Sequence, residues 1–224
     1  MKTNWLQLWC DLLGFAFAFG LALVLFGCGR EPVKSPLVQV AEWPTWQARP
    51  EPAHCSGFAV ITPEGVRVLT AAHCMLDHMP GDRVALVTRE RWEHTSQGVR
   101  WARVLGVDVA ADVAVLLPEA DALPELDVLA LADRDPVAGE LVRVESGRWW
   151  ATSRGTVEGV YYEDTGVGAE RWAATATVAP GWSGSPVLDV QGRVLGVVTA
   201  CHAGGLAPSK CCLPGFLSFE AVRR

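Results

Sequence analysis

Two side chains in this sequence are of the right type to do chemistry together. Ser183 lies in Gly181-Trp182-Ser183-Gly184-Ser185-Pro186, and His73 lies in Thr70-Ala71-Ala72-His73-Cys74. A serine hydroxyl is a poor nucleophile near neutral pH and needs a base within hydrogen-bond reach. An imidazole can take that proton during attack on a carbonyl and hand it to the leaving group. A carboxylate must then hold the imidazole in one tautomer and offset its developing charge. Asp112, at the head of the apolar run Asp112-Val113-Ala114-Val115-Leu116, offers one, and so does Asp108 just before it. Gly181 permits backbone torsions closed to other residues, which suits a tight turn at the nucleophile. Each motif alone is weak: Gly-x-Ser-Gly turns are common, and a histidine beside a cysteine is often structural. Their joint occurrence carries the reading.

The order His, Asp, Ser resembles that of trypsin/chymotrypsin-like serine peptidases of the bacterial exported type, and differs from the order in subtilisins and α/β-hydrolases. The resemblance covers residues from about 53 to about 222. It implies an all-β fold of two six-stranded antiparallel β-barrels with the active site in the cleft between them. It assigns His73, Asp112 and Ser183 as the catalytic residues of a serine endopeptidase that works through an acyl-enzyme. Asp112 is preferred to Asp108 because it alone heads the family's Asp-Leu/Val/Ile-Ala-x-Leu pattern, which leaves Asp108 as a solvated loop acid. The N–H groups of Gly181 and Ser183 become the oxyanion hole, where losing one donor costs about 10²–10³ in rate. No cofactor is implied, and the partner is a protein or peptide substrate. Thr177, six residues before the nucleophile, occupies the selecting position of the substrate pocket. Thr199, Ala200 and Cys201 form one wall, and Gly215 aligns with a pocket glycine. Thr177 is neutral and Cys201 stands where a glycine is usual, so small or medium apolar side chains are expected before the scissile bond.

The chain departs from the family at two positions. Ser185 replaces the second glycine after the nucleophile, and Trp182 replaces the acidic residue that pairs with a freshly cleaved N-terminus in trypsin-like zymogens. No Arg followed by Ile-Val-Gly-Gly is present. The expectation is an enzyme that needs no activating cleavage, with Trp182 packing the loop. A non-catalytic protease-fold binding module with a degraded oxyanion loop, and a structural envelope lipoprotein with a tryptophan-rich surface, are the alternatives.

Seven cysteines are present, at 10, 28, 55, 74, 201, 211 and 212. Cys55 and Cys74 resemble the family's disulfide beside the catalytic histidine. Cys201 is expected to bridge to Cys211 or Cys212, leaving one thiol over. A zinc site from Cys201, His202, Cys211 and Cys212 is the rival, disfavoured because an oxidising compartment favours disulfides.

The elements that must position these residues read as short strands. Half of the 224 residues are hydrophobic, enough for one globular domain with a real core. Net charge is −6 with no basic block, which argues against a nucleic-acid partner. Candidate strands are Phe58–Ile61, Val66–Thr70, Val84–Thr88, Val99–Gly106, Val113–Leu117, Leu141–Val144, Gly155–Val160, Ala173–Val178, Ser185–Leu188, Arg193–Thr199 and Gly215–Phe219. Turn residues separate them, and no internal repeat is evident. Short strands punctuated by turns indicate a sandwich or a barrel, between which periodicity cannot choose.

Residues 1–28 read as an export signal: Lys2 precedes an uncharged apolar run from Leu12 to Phe26, shorter than the ~20 residues of a permanent span. Leu25-Phe26-Gly27-Cys28 resembles a bacterial lipobox, with lipid attached to Cys28, and an ordinary signal peptide or an uncleaved anchor are the alternatives; all three put the domain outside the cytoplasm, and a membrane-tethered location in the periplasm or at the cell surface is expected. Residues 29–52, with five prolines, read as a tether, part of which Trp43 and Trp46 dock on the domain, and 53–224 as the peptidase domain.

Overall fold

The computed structural model describes residues 35–41, 54–88, 99–147, 151–162, 170–203 and 215–222. All lie in the compact unit Lys34–Arg224; the other unit is Met1–Val33. The first six strands are β1 (Leu37–Ala41), β2 (His54–Thr62), β3 (Gly65–Ala71), β4 (Arg83–Thr88), β5 (Arg100–Asp108) and β6 (Val113–Pro118). The next six are β7 (Leu141–Ser146), β8 (Ala151–Tyr162), β9 (Glu170–Ala174), β10 (Pro186–Leu188), β11 (Val194–Ala203) and β12 (Gly215–Ala221).

Every pairing between these twelve strands is antiparallel, and they close into two barrels, β1-β2-β3-β6-β5-β4 and β7-β8-β9-β12-β11-β10. The strand order of the second barrel repeats that of the first. The repeat escapes sequence inspection because it lives in connectivity rather than in residue identity. The only helical pieces among the described residues are two short 3-10 turns, Ala72–Met75 and Leu123–Glu125.

The period-2 alternation of a strand with one face inward explains the packing. In β6, Ala114, Leu116 and Pro118 point inward, and in β7 Val142, Val144 and Ser146 do so. Each barrel has its own core: Val38, Val40, Leu86, Val104 and Leu116 in the first, Val144, Val157, Leu195, Val198 and Phe219 in the second. A third cluster joins them, with Leu37, Phe58, Val60 and Leu69 from the first barrel meeting Leu188, Val194 and Val197 from the second. The connection between barrels runs along this seam, bridging Val60 to Leu129 and then Leu131 to Val194.

Two expectations need correction. The tether assigned to 29–52 contains β1, all five of whose residues are buried, so the barrel begins well before Ala53. Pro36 and Pro44 disguise this strand, but Leu37-Val38-Gln39-Val40-Ala41 between them pairs with β2 on one side and β4 on the other. The strand expected over Ala173–Val178 ends at Ala174. Thr175 takes over from the ladder: its Oγ1 accepts from the Thr156 N–H at 2.9 Å and its N–H donates to the Thr156 carbonyl at 3.0 Å. The chain is thereby released from the sheet toward Ser183.

Candidate active site

His73 sits in the 3-10 turn Ala72–Met75 that follows β3. Asp112 ends the four-residue hairpin between β5 and β6, closed by the Asp108–Val113 pair. The first barrel thus carries both. Asp112 pins the turn at three points. Its carbonyl accepts from the Ala72 N–H at 3.1 Å, its Oδ1 from the His73 N–H at 2.8 Å, and its Oδ2 meets His73 Nδ1 at 2.8 Å. Oδ1 lies 3.1 Å from the same ring nitrogen. An ionised carboxylate only accepts, so Nδ1 carries the proton and Nε2 is left with a lone pair. That is the tautomer a general base requires.

This geometry asks something of the backbone. Asp112 has φ of +53°, the one described non-glycine residue in the left-handed region. Such a conformation costs a non-glycine residue about 1–2 kcal/mol, with aspartate and asparagine among the more tolerant. Asp108, the rival acid, does not reach the histidine. Its Oδ1 accepts from the Ala111 N–H at 2.9 Å and so tightens the hairpin that presents Asp112.

Ser183 belongs to the second barrel, on the segment between β9 and β10. Ser56, on β2, holds this loop from two directions. Its N–H donates to the Ser183 carbonyl at 2.8 Å and its hydroxyl to the Gly181 carbonyl at 2.9 Å. Gly184 then fits where nothing larger could: a Cβ there would overlap the Ser56 carbonyl oxygen and crowd Thr70 Oγ1 and the Ala71 N–H. Its φ of +83° excludes other residues independently. The Ser183 loop is therefore seated on β2, through Ser56, and against the end of β3, which leads into His73. Among the described residues no hydrogen bond joins His73 Nε2 to Ser183 Oγ. Such bonds are often long in unliganded sites and tighten on binding.

The remaining donors of the loop are committed in a telling way. The Trp182 N–H bonds the Ala179 carbonyl, the Gly184 N–H that of Val198, and the Ser185 N–H that of Trp182. Among the described residues the N–H groups of Gly181 and Ser183 have no acceptor. Gly181 has φ of +89°. Two unspent amide donors flanking a serine are what an oxyanion needs. Trp182 is buried in the core of the second barrel, so the bulky residue before Ser183 anchors the loop.

The expected pocket residues fall on the segment before Ser183 and on the β11–β12 ladder. Thr177 is exposed, Thr199 buried and Ala200 half-buried. The β11–β12 ladder shifts register between Val198 and Ala200, a bulge at Thr199 of the kind that re-aims side chains beside a site. Cys201 pairs with Leu217, and Gly215 with Ala203, across the same ladder. Cys28, Trp43, Trp46, Cys211 and Cys212 lie outside the described residues, as do the second expected bridge, the rival zinc site and the lipid attachment.

A disulfide joins Cys55 to Cys74. It ties β2 to the turn bearing His73, and a loop of this size contributes about 3 kcal/mol in the chain-entropy model. The ligand atoms of Cys55, His73 and Cys74 lie within 4.8 Å of one another. Because the sulfurs are bonded together, they offer no thiolates to a metal.

Sequence reasoning misses two residues. Ser56 gives no signal, lying in Cys55-Ser56-Gly57 just ahead of the expected strand Phe58–Ile61. Arg171 gives a faint one, a cation next to Trp172-Ala173-Ala174. It is buried, and its guanidinium reaches the hairpin that carries Asp112.

Comparison with known proteins follows this geometry. Residues 55–197 match the sequence family described as the trypsin-like peptidase domain. Over 164 residues the chain is 29% identical to HhoB of Synechocystis, named as a candidate serine protease, covering 66% of this chain and 34% of that protein. The chain thus spans about a third of that relative's length. Among solved structures, the active form of the Rv3671c protease from M. tuberculosis superposes with a TM-score of 0.59 at 21% identity, covering 85% of this chain and 76% of that one. The serine endoprotease from Yersinia pestis superposes with a TM-score of 0.57 at 17% identity, covering 83% and 58%. At these identities the solved structures speak to the fold.

Proposed function

The chain belongs to the trypsin-like peptidase family, and from that premise we propose that it is an exported serine endopeptidase acting through His73, Asp112 and Ser183. His73 Nε2 takes the proton of the Ser183 hydroxyl as Oγ bonds to the scissile carbonyl carbon. The carbonyl oxygen becomes an oxyanion facing the N–H groups of Gly181 and Ser183. Asp112 stays ionised and balances the imidazolium through Oδ2. The imidazolium then protonates the leaving amine as the C–N bond breaks, which leaves an acyl-enzyme. Water, deprotonated by the same nitrogen, releases the acid and restores the serine.

The observation that carries this reading is the 2.8 Å pairing of His73 Nδ1 with Asp112 Oδ2, beside a serine loop with two unspent amide donors. The deciding experiment is labelling by a fluorophosphonate, which reacts fast only with an activated serine in an intact hole. The expected result is labelling of the full chain and none of Ser183→Ala at equal folding. A folded chain that is not labelled, or label that persists in Ser183→Ala, overturns the assignment.

The neutral Thr177 supports a preference for small or medium apolar side chains before the scissile bond. Export is supported by the apolar run Leu12–Phe26 and by the Cys55–Cys74 disulfide, a bond that persists in oxidising compartments. We read Cys28 as the lipid-bearing residue that tethers the domain to the membrane. Palmitate incorporation that survives Cys28→Ala removes that part of the proposal and leaves the peptidase untouched.

A further inference from the structure

We propose that Arg171 is a positioning residue for the catalytic carboxylate: from β9 of the second barrel it clamps the first-barrel hairpin that presents Asp112. The inference rests on the peptidase reading above, since it concerns the acid of that triad. Arg171 is 4% exposed. Its Nη1 donates to the Ala111 carbonyl at 2.6 Å and its Nη2 to the Ala110 carbonyl at 2.9 Å. These are the two residues immediately before Asp112.

A buried guanidinium is costly unless its donors are used. Here two of them converge on consecutive peptide oxygens, a task suited to a planar fork and closed to a single ammonium point. The hairpin Val109–Asp112 is thus held twice. Asp108 Oδ1 takes the Ala111 N–H, and Arg171 takes the carbonyls of Ala110 and Ala111. The residue that follows these bonds is the one with φ of +53°. A left-handed aspartate relaxes toward negative φ if its neighbours let go, and that rotation would carry its carboxylate away from His73. The clamp has a second consequence. The β9 strand leads into the segment bearing Ser183, so Arg171 ties the acid of the first barrel to the chain that delivers the nucleophile from the second.

The test uses Arg171→Met, Arg171→Gln and Arg171→Lys in the full chain, beside the parent and Ser183→Ala. Three quantities are read: folding by circular dichroism, kcat and KM on p-nitrophenyl butyrate, and the low-field proton resonance of the His73 Nδ1–H. A clamp predicts that Arg171→Met and Arg171→Gln lower kcat by up to about 10²-fold, the cost of a misplacement near 1 Å, with little change in KM. The Nδ1–H resonance weakens or vanishes, and Arg171→Lys, which can reach one carbonyl, recovers part of both. Folded Arg171→Met with unchanged kcat and an unchanged resonance overturns the proposal. Should Arg171→Met and Arg171→Gln fail to fold, Arg171→Lys decides on the same two readouts. If the parent does not turn over at all, the peptidase reading is what has failed. The resonance alone then judges the clamp: loss in Arg171→Met supports it and retention refutes it.

Discussion

Replacing Asp112 by asparagine isolates the electrostatic and tautomeric role of one residue while sparing the fold. Asparagine has the same shape and tolerates the left-handed φ of +53° about as well as aspartate. Its Oδ1 can still accept from the His73 N–H, now at 2.8 Å from the carboxylate oxygen. What changes is the atom facing His73 Nδ1. A carboxylate oxygen at 2.8 Å becomes an amide NH₂, so a donor meets a donor unless the ring moves its proton to Nε2. In that tautomer Nε2 has no lone pair for the Ser183 proton, and the developing imidazolium loses its counter-charge. The expected loss in kcat is about 10⁴, or about 5.5 kcal/mol of transition-state stabilisation. The stability change should be much smaller, about 1–2 kcal/mol at most. The reason is that the His73 and Asp112 side chains are 42% and 18% exposed, so water can replace part of what is lost. The assay pairs fluorophosphonate labelling and p-nitrophenyl butyrate turnover with urea unfolding of the same samples. Asp108→Asn serves as the control, because its carboxylate bonds the Ala111 N–H and not the histidine. A folded Asp112→Asn enzyme within about tenfold of the parent in kcat would refute the reasoning, whatever happens to stability.

Ser56→Ala removes the hydroxyl that bonds the Gly181 carbonyl but keeps the N–H that bonds the Ser183 carbonyl. The loss should be about 1–2 kcal/mol in urea unfolding, and labelling should slow because the Gly181–Trp182 peptide is less firmly held. Labelling at the parent rate counts against a bracing role. Acid should expose Asp189, in the turn between β10 and β11. Burial pushes this carboxyl up, but the N–H groups of Arg193 and Gln191 and the Arg193 guanidinium together hold it below the ordinary carboxylate range. A folded-state value below the unfolded one means that Asp189 contributes its full stabilisation above the unfolded value, and loses it as pH falls through the folded value. The urea midpoint of the parent should therefore drop more steeply between about pH 5 and about pH 3 than that of Asp189→Asn, and parallel curves would exclude the assignment.

The parts of this fold that are legible in the sequence are those where one local rule suffices. Val113–Leu117 alternates and is headed by an aspartate; Val190-Gln191-Gly192 is a turn by composition, and Gly192 adopts φ of +78°. β1 is hidden because prolines flank it and because Gln39 breaks its apolar run, although Gln39 is fully buried in the barrel. The end of β9 is hidden because it depends on Thr175 meeting Thr156, two residues that become neighbours only once β8 has formed. The site divides in the same way. His73, Asp112 and Ser183 sit in recognisable local motifs. Ser56 and Arg171 act on carbonyls far from them in the chain, and carbonyls carry no residue identity for a sequence motif to record.

That division follows from how the site is assembled. On the proposed reading the acid and base come from one barrel, and the nucleophile with its oxyanion donors from the other. On that reading neither half does acyl transfer alone, and the reacting geometry is only as good as the join between barrels. An apolar seam such as Phe58 against Leu188 and Val197 supplies cohesion, but close packing without direction tolerates small slides. Direction has to come from hydrogen bonds that cross the join. Among the described residues, two sets do so near His73, Asp112 and Ser183. Ser56 of the first barrel holds the Gly181 and Ser183 carbonyls of the second, and Arg171 of the second holds the Ala110 and Ala111 carbonyls of the first. The bonds run in opposite senses, one set ending on the Ser183 loop and the other on the hairpin that carries Asp112. A slide of one barrel against the other that relaxed either set would strain the second. Ser56→Ala and Arg171→Lys should therefore combine non-additively in kcat, because each single change already frees part of the motion that the other restrains. Strict additivity of the two would mean that the two sets of bonds do not restrain a common motion.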